Sequence, residues 1–195
     1  MPLSRRTFLS SLGGASALLA QGPAFAARAP RNLIVSGSGY ARIGGKTFRC
    51  ALGRSGIRRH KAEGDGATPL GTWPLREVYF RADRLAIPKS KLPLRAMQEN
   101  DGWCDAPGDP NYNRHVTQPY PASAEALWRD DHLYDLVIVV GYNDAPVAPG
   151  AGSAIFLHVA RPNYAPTAGC VAFKLADLLK ILSRLDPQSS VDIRA

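Results

Sequence analysis

The sequence predicts a mainly β, α+β domain with one or two packed helices. Three observations lead there. Two uninterrupted apolar runs, Leu136-Val137-Ile138-Val139-Val140 and Ala154-Ile155-Phe156-Leu157-His158-Val159, read as buried strands. Gly44-Gly45 separates two short strand-like stretches, a two-residue hairpin signal. One stripe alone, Leu175, Leu178, Leu179, Leu182 and Leu185, follows helical spacing. A length of 195 residues fits one domain, and neither a repeat nor a linker divides it. With 45% apolar and 21% charged residues the chain is globular in composition rather than disordered. Gly 18 and Pro 16 without a period favour turns over a helical bundle, and three cysteines exclude a disulfide scaffold.

Taken in order, the chain opens on an address. Arg5-Arg6-Thr7-Phe8-Leu9 leads into a mildly apolar stretch to Ala20, then Ala24-Phe25-Ala26, a small-x-small cleavage site. This is the pattern of a bacterial twin-arginine (Tat) export signal, residues 1–26, and implies the periplasm or cell envelope. The stretch is broken by Ser10, Ser11, Gly13 and Gly14. No segment approaches the roughly 20 apolar residues of a spanning helix, so no stable membrane span is expected. Cleavage after Ala26 leaves residues 27–195 as the catalytic domain. Losing Arg5 and Arg6 takes the net charge from +8 to +6. A basic envelope protein is drawn to anionic polymers such as peptidoglycan and lipid headgroups. The basic residues are scattered, with no reading helix, which argues against nucleic acid.

Leu33-Ile34-Val35 is a first strand closed by Ser36-Gly37-Ser38-Gly39. Residues 40–43 and 46–52 flank the hairpin. Residues 60–71 form a polar, Gly-rich loop that Lys61, Glu63 and Asp65 are expected to shape. Residues 73–80 read as a further strand. Residues 81–122 are irregular and rich in Pro, Asp and Asn, a type of long loop that is often functional. Residues 122–130 are expected to form a short helix capped by Ser123, with Ala126 and Leu127 inward. Asp186-Pro187 ends the last helix, and Val191-Asp192-Ile193 alternates as a closing strand. Asp130, Asp131 and His132 read as a solvated helix end. Cys50 and Cys104 are either a disulfide or two isolated buried thiols.

The chemistry concentrates near Cys170, in Pro166-Thr167-Ala168-Gly169-Cys170-Val171. A glycine before the cysteine lets the backbone bend and a substrate approach. Cysteine chemistry needs a base or a positive field beside the sulfur. His158 stands twelve residues earlier at the end of an apolar strand, and a loop and return place its imidazole beside Cys170. Backbone N–H groups around Gly169 and Cys170 are candidates to stabilise an oxyanion. Either residue alone is more often a core side chain; the pair in this context is what points to catalysis.

These residues resemble the L,D-transpeptidase (YkuD) family. Its signature is a His after an apolar strand, a variable loop, then Ser/Thr-x-Gly-Cys. Ile155-Phe156-Leu157-His158 and Thr167-Ala168-Gly169-Cys170-Val171 fit it, followed by the expected helix and closing strand. Thr68-Pro69-Leu70-Gly71-Thr72-Trp73 fits a second element, Thr-Pro-x-Gly-x-aromatic. The likeness covers nearly all of residues 27–195. It implies a β-sandwich with one or two helices, Cys170 as nucleophile, His158 as base, Gly169 and Thr167 in the oxyanion loop, and a backbone carbonyl orienting the His. It further implies acylation on a peptidoglycan stem peptide, transfer to a diaminopimelate amine, and no metal, nucleotide or other cofactor. A monomer is expected. Tyr142, Asn143, Tyr112 and Arg114 are candidates to line the stem-peptide groove, with Asn113 and Trp103 beside them.

Two departures stand out. The Arg usually found two residues after the Cys is Ala172, and the residue before the Gly, often His, is Ala168. Some branches of the family lack that Arg and join stems through L-Ala, so by resemblance Ala172 favours 1,3 cross-links. The alternatives are 3,3 cross-linking, a carboxypeptidase or endopeptidase, and a binding module that has lost the reaction. A papain-like peptidase places Cys before His, the reverse of the order here. A zinc peptidase lacks its His-Glu-x-x-His.

Overall fold

The computed structural model describes Met1 and residues 32–195. The expected export signal beyond Met1, and its cleavage site, fall outside the described residues.

Fourteen strands and one α-helix follow along the described chain. The first six strands are β1 (Leu33–Ser36), β2 (Tyr40–Ile43), β3 (Lys46–Arg49), β4 (Ile57–Arg58), β5 (Thr68–Pro69) and β6 (Gly71–Phe80). Then come β7 (Leu94–Ala96), β8 (Asp101–Cys104), β9 (His115–Thr117), β10 (Ala124–Ala126) and β11 (Leu136–Val140). The last are β12 (Phe156–Val159), β13 (Val171–Phe173), α1 (Leu175–Leu182) and β14 (Ser190–Arg194).

The main sheet runs β13-β12-β11-β6-β14-β1-β2-β3, with β7 also on β6. Its pivot is β6. Residues 71–74 pair with β14 and residues 75–80 with β11, both antiparallel. Pro74, which has no N–H to give, stands where the strand changes partner, and its carbonyl accepts the Gly141 N–H. The two halves fold over one core as a β-sandwich. The ends of the sheet are then zipped together. Ala51, just past β3, exchanges two hydrogen bonds with Ala172 at 2.8 and 3.0 Å, and Thr167 does the same with Leu52 and Arg54 at 2.9 Å each. Gly53 lies inside this seam. A Cβ there would meet the Gly66 carbonyl at 2.3 Å, so only glycine fits.

The core explains the sequence patterns. Strands β1, β2 and β14 alternate buried with less buried residues, because one face meets the core and the other does not. All residues of β11, β12 and β13 are buried. Leu136, Ile138, Val140, Leu157, Val159, Val171 and Phe173 enter the large core with α1, which contributes Leu178, Ile181 and Leu182. Val137, Val139 and Phe156 face a second cluster with Tyr79, Trp103 and Tyr134. That second layer explains why their apolar runs are unbroken. It is supplied by the middle of the chain, where β10, β8 and β9 form a small sheet. Asp101, 2% exposed, ties it together by accepting from Arg95, from the Gln98 N–H and by pairing with His115.

The structure corrects the expected helix over residues 122–130. Residues 124–126 form β10, opposite Cys104, Trp103 and Gly102. A nine-residue helix is marginal by itself, and here the edge of β8 gives those backbone groups partners while Leu127 is fully buried. One α-helix therefore packs on the sandwich. It ends at Leu182, short of the full stripe, although Leu185 is still buried. Cys50 and Cys104 are free buried thiols, not a disulfide. His132 is exposed and pairs with Asp135. Among the described residues no helix is long and apolar enough to cross a membrane.

Candidate active site

The turn before β13 sets the position of Cys170. The Thr167 hydroxyl donates to the Cys170 carbonyl at 2.7 Å and accepts the Gly169 N–H at 3.1 Å. Gly169 has φ 143°, and a Cβ on it would strike the Ala67 carbonyl at 2.8 Å, so the turn requires glycine. Strand β13 then runs parallel to β12, with Leu157 opposite Val171 and His158 opposite Ala172. Alternation places Phe156, His158, Cys170 and Ala172 on the same face, away from the large core.

The Cys170 thiol is 7% exposed. Its Sγ accepts the Phe156 N–H at 3.3 Å and donates to the Ala154 carbonyl at 3.2 Å. Ala154 holds a left-handed backbone, φ 52°, unusual for a residue with a side chain. Asn113 supports it from behind. Its Oδ1 accepts from Ala154 N–H and from the Trp103 indole, while its Nδ2 donates to the carbonyls of Tyr142 and Asn143. This buried amide thereby ties the Ala154 segment to Trp103 and to the backbone after β11.

His158 is 6% exposed, and its Nδ1 lies 2.8 Å from the Val159 carbonyl. A carbonyl only accepts, so Nδ1 carries the proton and Nε2 the lone pair. The ring of Tyr134 stands edge-on at 5.2 Å. Burial lowers the imidazole to about 4, opposed by backbone hydrogen bonds to Val159 and Leu133 and reinforced by the charges of Arg161 and Arg129. Burial pushes the Cys170 thiol up to about 12; Glu125 adds to this, while the Phe156 N–H and Lys61 oppose it. The resting pair is thus a neutral thiol and a neutral imidazole.

Both line a cavity of about 390 Å³. Its other walls are mixed in charge. Arg54, Lys61, Arg129 and Arg161 are on it, as are Glu63, Asp105 and Glu125. Glu63 accepts from the hydroxyls of Tyr112 and Ser153. Glu125 accepts from Tyr134 at 2.6 Å, and burial raises its carboxyl against that bond. Among the described residues no cluster of His, Cys, Asp and Glu could hold a metal ion.

Cys170, His158 and Thr167 line one cavity, with Gly169 in the turn between Thr167 and Cys170. The Gly169 N–H, however, is taken by Thr167 and is not free for an oxyanion. The four groove candidates are elsewhere, and the reason is local hydrogen bonding. The Tyr142 hydroxyl donates to the Ala151 carbonyl, and its ring packs against Trp73. Asn143 ties Ala148 to Gly152. Tyr112 is buried beneath Glu63, and its hydroxyl accepts the Gly152 N–H. Arg114 is exposed and does not line the cavity. Sequence reasoning treated Lys61 and Glu63 only as loop-shaping residues and missed Glu125, Arg129 and Arg161. Only long-range packing brings these segments to one cavity, and no local pattern records it.

A family model described as the L,D-transpeptidase catalytic domain, YkuD, matches residues 35–193. No curated protein matches the chain. Among solved structures, L,D-transpeptidase 1 of Mycobacterium tuberculosis is similar with 10% identity and a TM-score of 0.38, over 85% of this chain and 62% of that one. The helical cell shape determining protein Pgp2 of Campylobacter jejuni shares 16% identity with a TM-score of 0.42, over 84% of this chain and 47% of its own. The chain thus spans less than two thirds of either.

Proposed function

The chain belongs to the YkuD family of L,D-transpeptidase catalytic domains, and from that premise we propose that it is an exported peptidoglycan L,D-transpeptidase with Cys170 as nucleophile and His158 as base. The observation that carries this reading is a thiol and a neutral imidazole, its Nδ1 held by the Val159 carbonyl, on one face of adjacent parallel strands and sharing one cavity. A base that is neutral at pH 7 can accept a proton there.

The thiol turns from the Ala154 carbonyl and gives its proton to His158 Nε2. Sulfur attacks a carbonyl carbon of a stem peptide, forming a C–S bond and a tetrahedral oxyanion. With the Gly169 N–H engaged by Thr167, the Cys170 N–H is the nearby backbone donor for that oxyanion. Collapse breaks the C–N bond; the leaving amine takes the proton from His158 and a thioester remains. A diaminopimelate amine then attacks the thioester. His158 takes its proton and returns it to sulfur, which leaves as the thiol. Water in place of the amine would give a carboxypeptidase.

Ala172 favours 1,3 cross-links through L-Ala. It lies opposite His158 on the site face, and its backbone is zipped to Ala51. No guanidinium therefore reaches the reacting carbonyl from this position. The mixed charge of the cavity suits a zwitterionic acceptor, whose amine meets the acids and whose carboxylate meets the arginines. The twin-arginine segment would deliver the protein to this substrate.

Mass spectrometry of products from purified disaccharide stem peptides tests the reading, with Cys170→Ala as control. A cross-linked dimer absent from the control is expected, and fragmentation identifies the acyl residue. Shortened monomers alone would replace transfer by hydrolysis. No product, with binding to sacculi retained, would leave a binding module.

A further inference from the structure

Lys61 differs from the other cations of the cavity. Its side chain is 3% exposed. Nζ donates to Asp65 Oδ1 at 2.7 Å, and among the described residues this is its one hydrogen-bond acceptor. An ammonium has three N–H groups, so two remain. Burying an ammonium is expensive unless it is paired and used.

The location is built with care. Asp65 is anchored by the N–H groups of Ala62 and Ala67. Two glycines make room for the lysine. A Cβ on Gly152 would lie 2.7 Å from Lys61 Cε, and one on Gly169 would lie 3.5 Å from Nζ. The ammonium therefore rests against the turn that presents Cys170, and it lines the same cavity. The Lys61–Asp65 pair does shape its loop. A pair with that role alone would not need its cation placed at the cavity wall.

We propose that the Lys61 ammonium is the positive charge that stabilises the anion formed at Cys170, first the thiolate and then the oxyanion of attack. The proposal rests on Cys170 being the nucleophile. Asp65 sets the strength of the effect, because it partly cancels the charge it holds in place. The direction agrees with Lys61 being among the groups that favour the Cys170 thiolate.

The test is the rate of Cys170 alkylation by iodoacetamide against pH, on the full chain, read by peptide mass spectrometry with Cys50 and Cys104 as internal references. Lys61→Met should slow Cys170 by about tenfold and move its profile to higher pH, one unit of thiol acidity being tenfold. Lys61→Arg should retain most of the rate. Asp65→Asn, which frees the ammonium from its counter-charge, should speed the reaction. A loop-shaping role predicts instead that the Met and Asn variants change in the same direction. That result, or a Met variant with an unchanged profile, overturns the proposal. If Lys61→Met does not fold, the Asn and Arg variants decide: an Asn variant that is no faster than wild type overturns it. Failure of the nucleophile reading is distinguishable, because cross-linking would then survive in Cys170→Ala whatever the lysine does.

Discussion

Strands β12 and β13 have two buried faces that do opposite work. On one, Leu157, Val159, Val171 and Phe173 meet the helix in a core with no polar side chain among them. On the other, one residue out of step, His158 and Cys170 meet a cavity lined by seven charged side chains. Residues on both faces are buried, but the first packs against apolar side chains and the second borders the cavity. Burial on the first yields stability through apolar area. Burial on the second displaces two titrations, the imidazole down to about 4 and the thiol up to about 12. Period-two alternation is thus enough to set an apolar face and a charged cavity face on opposite sides of two short neighbouring strands.

The comparison can be broken most decisively at the cavity face. Removing the sulfur with Cys170→Ala should abolish product while the melting temperature stays within a few degrees, since little volume changes. His158→Ala should cost about 10²–10⁴ in acylation rate, the range of a positioned general base. Residual activity close to wild type in either would sink the division. The converse test is Leu157→Ala, one residue from His158. It should cost about 2–5 kcal/mol in denaturant unfolding, yet leave Cys170 alkylation per folded molecule nearly unchanged. Loss of reactivity in the folded fraction would mean the two faces are coupled.

Acid sharpens the contrast. The unfolded chain protonates His158 near its ordinary value of 6.5, the folded chain only near 4. Between these values the unfolded state binds more protons, so the stability tied to a neutral His158 is full above about 6.5 and lost as pH falls through about 4. The total is about 3 kcal/mol. His158→Gln should flatten that part of the stability-pH curve; an identical slope in the variant would contradict the burial argument. Activity should likewise hold across neutral pH and drop toward 4. The smallest effect is expected from Tyr142→Phe. It loses one hydrogen bond to the Ala151 carbonyl, about 1 kcal/mol, with little change in turnover. A large rise in KM would restore Tyr142 to the groove.

The parts legible in the sequence were those fixed by short-range physics. Gly44-Gly45 marks the β2–β3 turn, continuous apolar runs mark β11 and β12, and the leucine stripe marks α1. The order His158, Thr167, Gly169, Cys170 carries the reactive turn because its bonds are local. Residues 124–126 escaped notice because their conformation is dictated by β8, some twenty residues away in the chain, and not by propensity. Tyr142 and Asn143 follow a strand end, where a rim is expected, but nothing local tells that their polar atoms are spent on residues 148–152. Lys61, on a loop, and Glu125, on β10, reach the cavity only through long-range packing, so neither a period nor a motif announces them.

The seam at Ala51–Ala172 and Gly53–Thr167 has a kinetic consequence. It joins the turn before Cys170 and the start of β13 to the segment between β3 and β4, more than 100 residues apart in the chain. Such non-local pairings form late, after the entropy of closing a long loop has been overcome. Until the N-terminal hairpin docks, the Thr167 backbone lacks its Leu52 and Arg54 partners, and the turn before Cys170 is not fixed. On the proposed reading of Cys170, an incompletely folded copy carries a cysteine without its native setting, and the rate at which Cys170 acquires its native alkylation rate reports the docking of this seam.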